Sequence, residues 1–163
     1  MEAKPTFSSD AANYLSMASD LLGVIGVDSG DVIQSDMICY DTSSLQRYDE
    51  LKKDFSSIGD CIDESIVNGR SISVFELNQP ISNENYSLSF VELPQPKSGD
   101  ETEGIDHVQF VTRIGLSRFA MKYSDIDFVE KGNDLNRLLQ VESNGIKVRF
   151  HDKHIGSVLE LEA

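Results

Sequence analysis

Short stretches of this chain alternate apolar and polar residues, and longer stretches repeat apolar residues every three to four positions. Alternation with a period of two is typical of a half-buried strand, and the longer period is typical of an amphipathic helix. The predicted order is a helix over 10–26, a first β-α-β-β-β module over 34–94, a linker over 95–104, a second β-α-β-β-β module over 105–153 and a tail over 154–163.

The two modules open with similar strands. Asp36-Met37-Ile38-Cys39-Tyr40 begins the first, and Asp106-His107-Val108-Gln109-Phe110 begins the second. Each module also contains an Asn-Gly pair, which predicts a two-residue hairpin turn because both residue types tolerate positive φ. A short final helix is expected within 154–162. The repeat predicts a structure built twice, with its working site where the two copies meet.

The predicted strands have one apolar side and one mixed side. Ile38, Val108 and Val148 belong to the apolar side, which suits packing under helices. Burying charged groups without partners costs several kcal/mol, so the ionisable residues of the other side must pair, bind a ligand or meet water. The mixed side carries Met37, Cys39, Glu92, His107, Gln109, Arg149 and His151.

Composition narrows the functional classes. The chain has 163 residues, which suggests one domain, and a net charge of −14, which disfavours nucleic acid and anionic membranes as partners. No apolar run is long enough for a membrane span, and residues 1–10 lack a signal-peptide pattern, so a cytoplasmic location is expected. Cys39 and Cys61 are interpreted as reduced thiols. The expected partner is a small molecule, and the chain is expected to be a monomer or a homodimer.

Several segments of these strands and turns resemble the YecM-like family of the vicinal oxygen chelate superfamily, which includes glyoxalases, epimerases and extradiol dioxygenases. The segments are Asp36-Met37-Ile38, Asn68-Gly69-Arg70, the Val-Glu-Leu-Pro-Gln-Pro stretch at 91–96, Asp106-His107-Val108 and the Lys-Val-Arg-Phe-His stretch at 147–151. The resemblance implies an α+β fold in which paired βαβββ modules form a curved mixed sheet around an inner cavity. An extra N-terminal helix would cover the domain.

The resemblance also implies a divalent metal, such as Zn, Fe, Mn or Ni, on the inner side of the sheet. The corresponding ligand positions are Met37, Glu92, His107 and His151. Because methionine is a poor ligand for these metals, the implied protein ligands are Glu92, His107 and His151. Candidate substrate-binding residues are Arg149, Gln109, Met37 and Cys39. Arg149 fits this role because a guanidinium can clamp both oxygens of a carboxylate.

Other interpretations of these residues and of the function stay open. Glu92, His107 and His151 equally suit an internal ion-pair cluster, and Arg149 equally suits an acidic partner. The first functional hypothesis is a metal-dependent isomerase, lyase or oxygenase acting on a small oxygen-rich molecule. The second is a non-catalytic small-molecule binder with a degenerate metal site, which Met37 favours. The third is a protein-interaction module.

Overall fold

The computed structural model describes residues 3–133 and 136–155, with side chains from residue 7 onward. Helices and strands follow one another in the order that the sequence predicts. The elements are α1 (Ala3–Ile25), a 3-10 turn (Ser29–Asp31), β1 (Val32–Asp41), α2 (Leu45–Ser56), β2 (Gly59–Val67), β3 (Arg70–Ser82), β4 (Ser87–Pro94), β5 (Gly104–Thr112), α3 (Leu116–Lys122), β6 (Val129–Gly132), β7 (Arg137–Ser143) and β8 (Ile146–His151).

All eight strands form one sheet in the order β2-β3-β4-β1-β5-β8-β7-β6. Within each module the first and last strands pair in parallel, β1 with β4 and β5 with β8. The modules join through the antiparallel pair β1–β5. The predicted α+β fold, with paired βαβββ modules in a curved mixed sheet, is therefore confirmed, and the sheet stays open at β2 and β6.

The three α-helices described cover one face of the sheet and bury the main hydrophobic core against it. Helix α1 lies outside the repeat, as predicted, and packs on β5 and β8. Its Tyr14 hydroxyl accepts a hydrogen bond from the Lys147 amide at 2.8 Å and donates to the Asp106 carbonyl at 3.1 Å. The apolar side of the sheet is thus fully occupied, and the mixed side is left for the functional site.

Both predicted hairpin turns are present. Asn68 and Asn144 adopt a φ of 52°, and Gly69 and Gly145 follow at 79°, the positive angles that a tight hairpin turn requires. The first turn joins β2 to β3 and the second joins β7 to β8. The two modules therefore share their architecture, although the turn motif falls at different strand junctions.

Several element boundaries differ from the predictions. Helix α1 begins at Ala3, upstream of the predicted start at residue 10, because buried Phe7 extends its apolar stripe. Helix α2 is capped by Ser44, whose hydroxyl accepts from the Arg47 amide at 3.1 Å. Nearly all of the final helix expected within 154–162 lies outside the described residues.

Truncation of Phe150 is expected to be among the most destabilising core changes. Its ring is fully buried and lies 4.7 Å from that of Phe119 and 6.1 Å from that of Phe110. Phe150→Ala should lower the free energy of unfolding by about 3–5 kcal/mol. Met121→Ala, at a side chain that is 78% exposed, should change it by about 0.5 kcal/mol or less. Urea unfolding measures both, and similar losses in the two variants would contradict the assigned core.

Candidate functional site

A cleft of about 200 Å³ lies on the face opposite the helices, where β1, β4, β5 and β8 run side by side. It is lined by Cys39, Asp41, Arg70, Glu92, Pro94, Lys97, Glu101, Asp106, His107, Lys131, Gln140, Lys147 and Arg149. A larger hollow of about 540 Å³ beside α1 has no acid, base, histidine or cysteine among its described lining residues. The smaller cleft is therefore where reactive groups converge.

Strand register brings three potential metal ligands together in this cleft. Cys39 of β1 pairs with Glu92 of β4 on one side and with His107 of β5 on the other. One donor atom from each lies within 4.8 Å of the others. Donor atoms around one tetrahedral zinc ion lie about 3.3 to 3.8 Å apart, given bond lengths of about 2.0 to 2.3 Å. Small side-chain adjustments would therefore bring all three within reach of a single ion.

His107 is held in an orientation that suits a metal ligand. Its side chain is 2% exposed, and its Nδ1 lies 2.8 Å from Asp106 Oδ2. Asp106 in turn accepts from Lys147 Nζ at 3.1 Å, so the carboxylate is anchored on both sides. A carboxylate beside Nδ1 favours the tautomer with the proton on that atom, which leaves the Nε2 lone pair free. Nε2 is buried and has no hydrogen-bond partner among the described residues.

The charge state of His107 agrees with this orientation. Burial lowers its pKa to about 4, although the hydrogen bond to Asp106 opposes the shift. The ring is therefore neutral at pH 7, which is the form that binds a metal without losing a proton. The same hydrogen bond to His107 lowers the pKa of Asp106, so this carboxylate stays ionised.

The neighbouring acids are shifted in the opposite direction. Burial raises the pKa of Cys39 well above its usual value, and the charges of Glu92 and Asp41 add to this effect. Burial also raises the pKa of Glu92, while Arg149 opposes that shift. For Asp41, burial and the nearby Asp106 charge raise the pKa to about 6. The cleft thus holds a carboxyl group that changes charge close to neutral pH, as acid–base chemistry requires.

Other residues predicted for the site lie elsewhere on the same face. His151 is fully buried; its Nε2 lies 2.8 Å from Asp36 Oδ2 and its Nδ1 lies 3.3 Å from the Asn136 amide oxygen. It is not in the group formed by the three potential ligands. Met37 is fully buried in a separate apolar cluster with Val74, Phe90 and Ile155. Gln109 is 3% exposed and pairs with Met37 in the sheet rather than lining the cleft.

Arg149 does line the cleft, and Arg70, which was not among the predicted site residues, joins it there. Arg70 Nη1 donates to the Gln95 carbonyl at 3.0 Å, and Gln95 Oε1 accepts from the Ser71 amide at 2.8 Å. The Asn-Gly-Arg turn and the Val-Glu-Leu-Pro-Gln-Pro segment, which carry much of the family resemblance, therefore contact each other at the rim of the cleft.

Sequence reasoning also missed Asp41 and Asp106 as site residues. Asp41 lies two positions after Cys39 on the same strand side, and its carboxylate accepts from the Cys39 thiol at 3.8 Å. Because side chains two positions apart lie on the same side of a strand, the position of Asp41 after Cys39 could have identified it as a residue of this site. Asp106 directly precedes His107, and the general rule that a metal-binding histidine donates to a carboxylate was a signal for it.

The arrangement of two βαβββ modules around a cleft is that of the vicinal oxygen chelate fold. A solved structure of Streptomyces coelicolor methylmalonyl-CoA epimerase, in complex with 2-nitronate-propionyl-CoA, has this fold and superposes with a TM-score of 0.50. The alignment covers 75% of this chain and 99% of that one at 10% identity, so it shows a common fold and no more.

The family itself follows from sequence. A family described as YecM protein matches residues 6–154, and the chain belongs to this family. Protein YecM of Escherichia coli strain K12 is 30% identical over 76 residues, which is 45% of this chain and 38% of that protein. A structural-genomics structure named Protein EC4020 superposes with a TM-score of 0.74, at 21% identity, over 95% of this chain and 90% of its own. Within the described residues, no helix is long and apolar enough to cross a membrane.

Metal-free protein is expected to lose stability in mild acid through His107. The unfolded histidine takes up a proton below about pH 6.5, whereas the folded one resists protonation down to about pH 4, so acid favours the unfolded state between these values. The loss approaches about 3 kcal/mol near pH 4. Thermal unfolding in EDTA between pH 7.5 and 4.5 measures it.

The matched variants for this experiment are His107→Asn and His154→Gln. His107→Asn removes the ring that titrates and should flatten the dependence of Tm on pH. His154→Gln changes a half-buried histidine outside the cleft and should keep the wild-type slope. An unchanged slope in His107→Asn would show that His107 does not resist protonation in the folded state.

Proposed function

We propose that the cleft binds a divalent metal of the zinc type through Cys39, Glu92 and His107, and that the protein acts on a small oxygen-rich molecule as an isomerase or lyase. The buried, unpartnered Nε2 of His107 is the observation that carries the proposal, because a polar atom without a partner is costly in a protein interior. A nitrogen, an oxygen and a sulfur donor together suit zinc. When bound, such an ion would polarise an oxygen of the substrate.

The ligand set differs from the one expected from the family resemblance. His151 was expected beside Glu92 and His107, but its two nitrogens face Asp36 and Asn136. Cys39 is the better candidate for the third metal ligand, because it lies beside both Glu92 and His107 in the sheet. Without a second histidine, the 2-His-1-carboxylate arrangement typical of iron oxygenases has no support, which leaves isomerase or lyase chemistry.

Asp41 is the residue that we assign to proton transfer. It lines the cleft, and burial with the Asp106 charge raises its pKa to about 6. Its carboxylate accepts from the Cys39 thiol, so it lies beside the proposed ligands, where a carboxyl group can take a proton from a substrate and return it. Proton transfer next to a polarised oxygen is the step shared by isomerases and lyases, and the similar epimerase is itself an isomerase by name.

A second candidate function is metal-free binding of a small molecule. Arg149 favours it, because its positive charge acts on both Glu92 and His107 and would oppose a cation between them. A protein-interaction module has less support, since that hypothesis expects a closed seam between the modules and a cleft lies there instead. Metal content separates the first candidate from the second.

Purified protein reconstituted with Zn²⁺ and freed of excess ion is expected to retain about one equivalent per chain by elemental analysis. His107→Gln, Glu92→Gln and Cys39→Ser should each weaken zinc affinity, because each removes one of the donor atoms. Asp106→Asn should weaken it by about 10- to 100-fold, since Asp106 orients the His107 ring without being a ligand. Competition with a chelating dye gives the affinities.

Two matched variants test whether the effect is local. Cys61→Ser alters an exposed cysteine on β2, and His154→Gln alters a histidine outside the cleft; both should keep wild-type affinity. The proposal fails if wild-type protein retains no metal after reconstitution with Zn²⁺, Mn²⁺, Fe²⁺ or Ni²⁺. It fails equally if Cys61→Ser costs as much affinity as Cys39→Ser.

A further inference from the structure

The lining of the cleft has slightly more basic than acidic residues, whereas the whole chain is strongly acidic. The chain has 28 acidic and 14 basic residues. Five of those 14 basic residues line the cleft, together with only four of the 28 acidic ones. The basic residues are Arg70, Lys97, Lys131, Lys147 and Arg149. Because the chain as a whole is acidic, an anion is repelled less at this cleft than elsewhere on the protein.

The two arginines of the cleft are held by neutral groups. Arg149 Nε donates to Gln140 Oε1 at 2.9 Å, and Arg70 Nη1 donates to the Gln95 carbonyl at 3.0 Å. Neither guanidinium has a carboxylate within 4 Å among the described residues. Elsewhere in the structure, Arg47 and Arg137 each bond a glutamate directly at 2.8 Å.

This difference matters because of the shape of the guanidinium. A neutral acceptor at one nitrogen fixes the orientation of the group without cancelling its charge, and most of its five N–H donors stay available. Such a fork matches the two oxygens of a carboxylate. Arg70 and Arg149 are therefore oriented and make no direct ion pair with a carboxylate of the described residues. His107, whose buried Nε2 has no hydrogen-bond partner among those residues, lines the same cleft.

The two arginines come from different halves of the molecule. Arg70 begins β3 in the first module, and Arg149 lies on β8 in the second. Glu92 lies on β4, which is between β3 and β8 in the sheet, and both guanidinium charges oppose the rise in the pKa of its carboxyl group. The volume of about 200 Å³ suits a small metabolite, since it lies below the usual range for pockets that bind drug-sized ligands.

We propose that the ligand of the cleft is a small dicarboxylate, with one carboxylate bound by Arg149 and the other by Arg70. This inference rests on the proposed function in placing the ligand beside Cys39, Glu92 and His107. It adds the chemical class of the substrate. Two separate arginines favour two separate anionic groups, and the planar forks favour carboxylates.

Isothermal titration with succinate tests the proposal on the full chain, once in EDTA and once with Zn²⁺. Succinate is expected to bind in both conditions, whereas neutral succinamide of the same length is not. Arg149→Gln and Arg70→Gln should each weaken succinate binding by about 10-fold or more, the usual scale for a lost charge-assisted hydrogen bond. Arg149→Lys should lie between the wild type and Arg149→Gln, because it keeps the charge and loses the fork.

Arg118→Gln is the matched control, since Arg118 is exposed on α3 and does not line the cleft. Circular dichroism of each variant confirms that it is folded. Binding of succinamide as tight as that of succinate overturns the proposal, as does an equal loss in Arg118→Gln. Inorganic phosphate binding as tightly as succinate also overturns it, because a single anionic group would then suffice.

The two proposals fail separately in this design. Succinate binding in EDTA by a protein that retains no metal would refute the metal site and support the dicarboxylate. Zinc binding without any response to succinate would support the metal site and refute the dicarboxylate.

Discussion

The antiparallel pairing of β1 with β5 is the constraint on which the rest of the structure depends. It is the seam between the two modules in the strand order, and its register places Cys39 beside His107. Side chains alternate along a strand, so a slip of one residue would turn His107 toward the helices and replace it with an apolar side chain. The core on the other face, with Ile38 and Val108 fully buried, opposes such a slip. Packing under the helices therefore holds the cleft residues in register.

The two buried histidines on this face show how neighbours decide the role of a side chain. Each has an aspartate oxygen 2.8 Å from one ring nitrogen. His151 has its other nitrogen 3.3 Å from Asn136, and its partner Asp36 also accepts from the Ile155 amide at 2.8 Å. This histidine ties the chain after β8 to β1. His107 has one nitrogen without a hydrogen-bond partner among the described residues, and its side chain lines the charged cleft.

Much of the fold was predictable, because alternation and Asn-Gly turns are local signals. The composition of the site was less predictable, because it depends on contacts between distant parts of the chain. The sequence repeat equates Met37 with His107, yet in the folded sheet Met37 pairs with Gln109, and Cys39 pairs with His107. Aligning the sequences of the two modules shows which residues correspond, but it does not show which residues of β1 and β5 lie side by side in the sheet. Likewise, no residue near His151 in the sequence indicates that its partner is Asp36, because the two residues are 115 positions apart. The grouping of arginines around Glu92 also depends on contacts between the modules.

The position of the seam has a consequence for synthesis of the chain. The strands β1 to β4 are complete at Pro94, before β5 begins at Gly104. Their hairpins join strands that are close in sequence, whereas the contact of β1 with β5 requires the second module. Until then β1, with Met37, Ile38 and Cys39, is an unprotected apolar edge of the kind that attracts other chains. A ribosome stalled after the first module would thus hold a half-sheet prone to pairing with its neighbours.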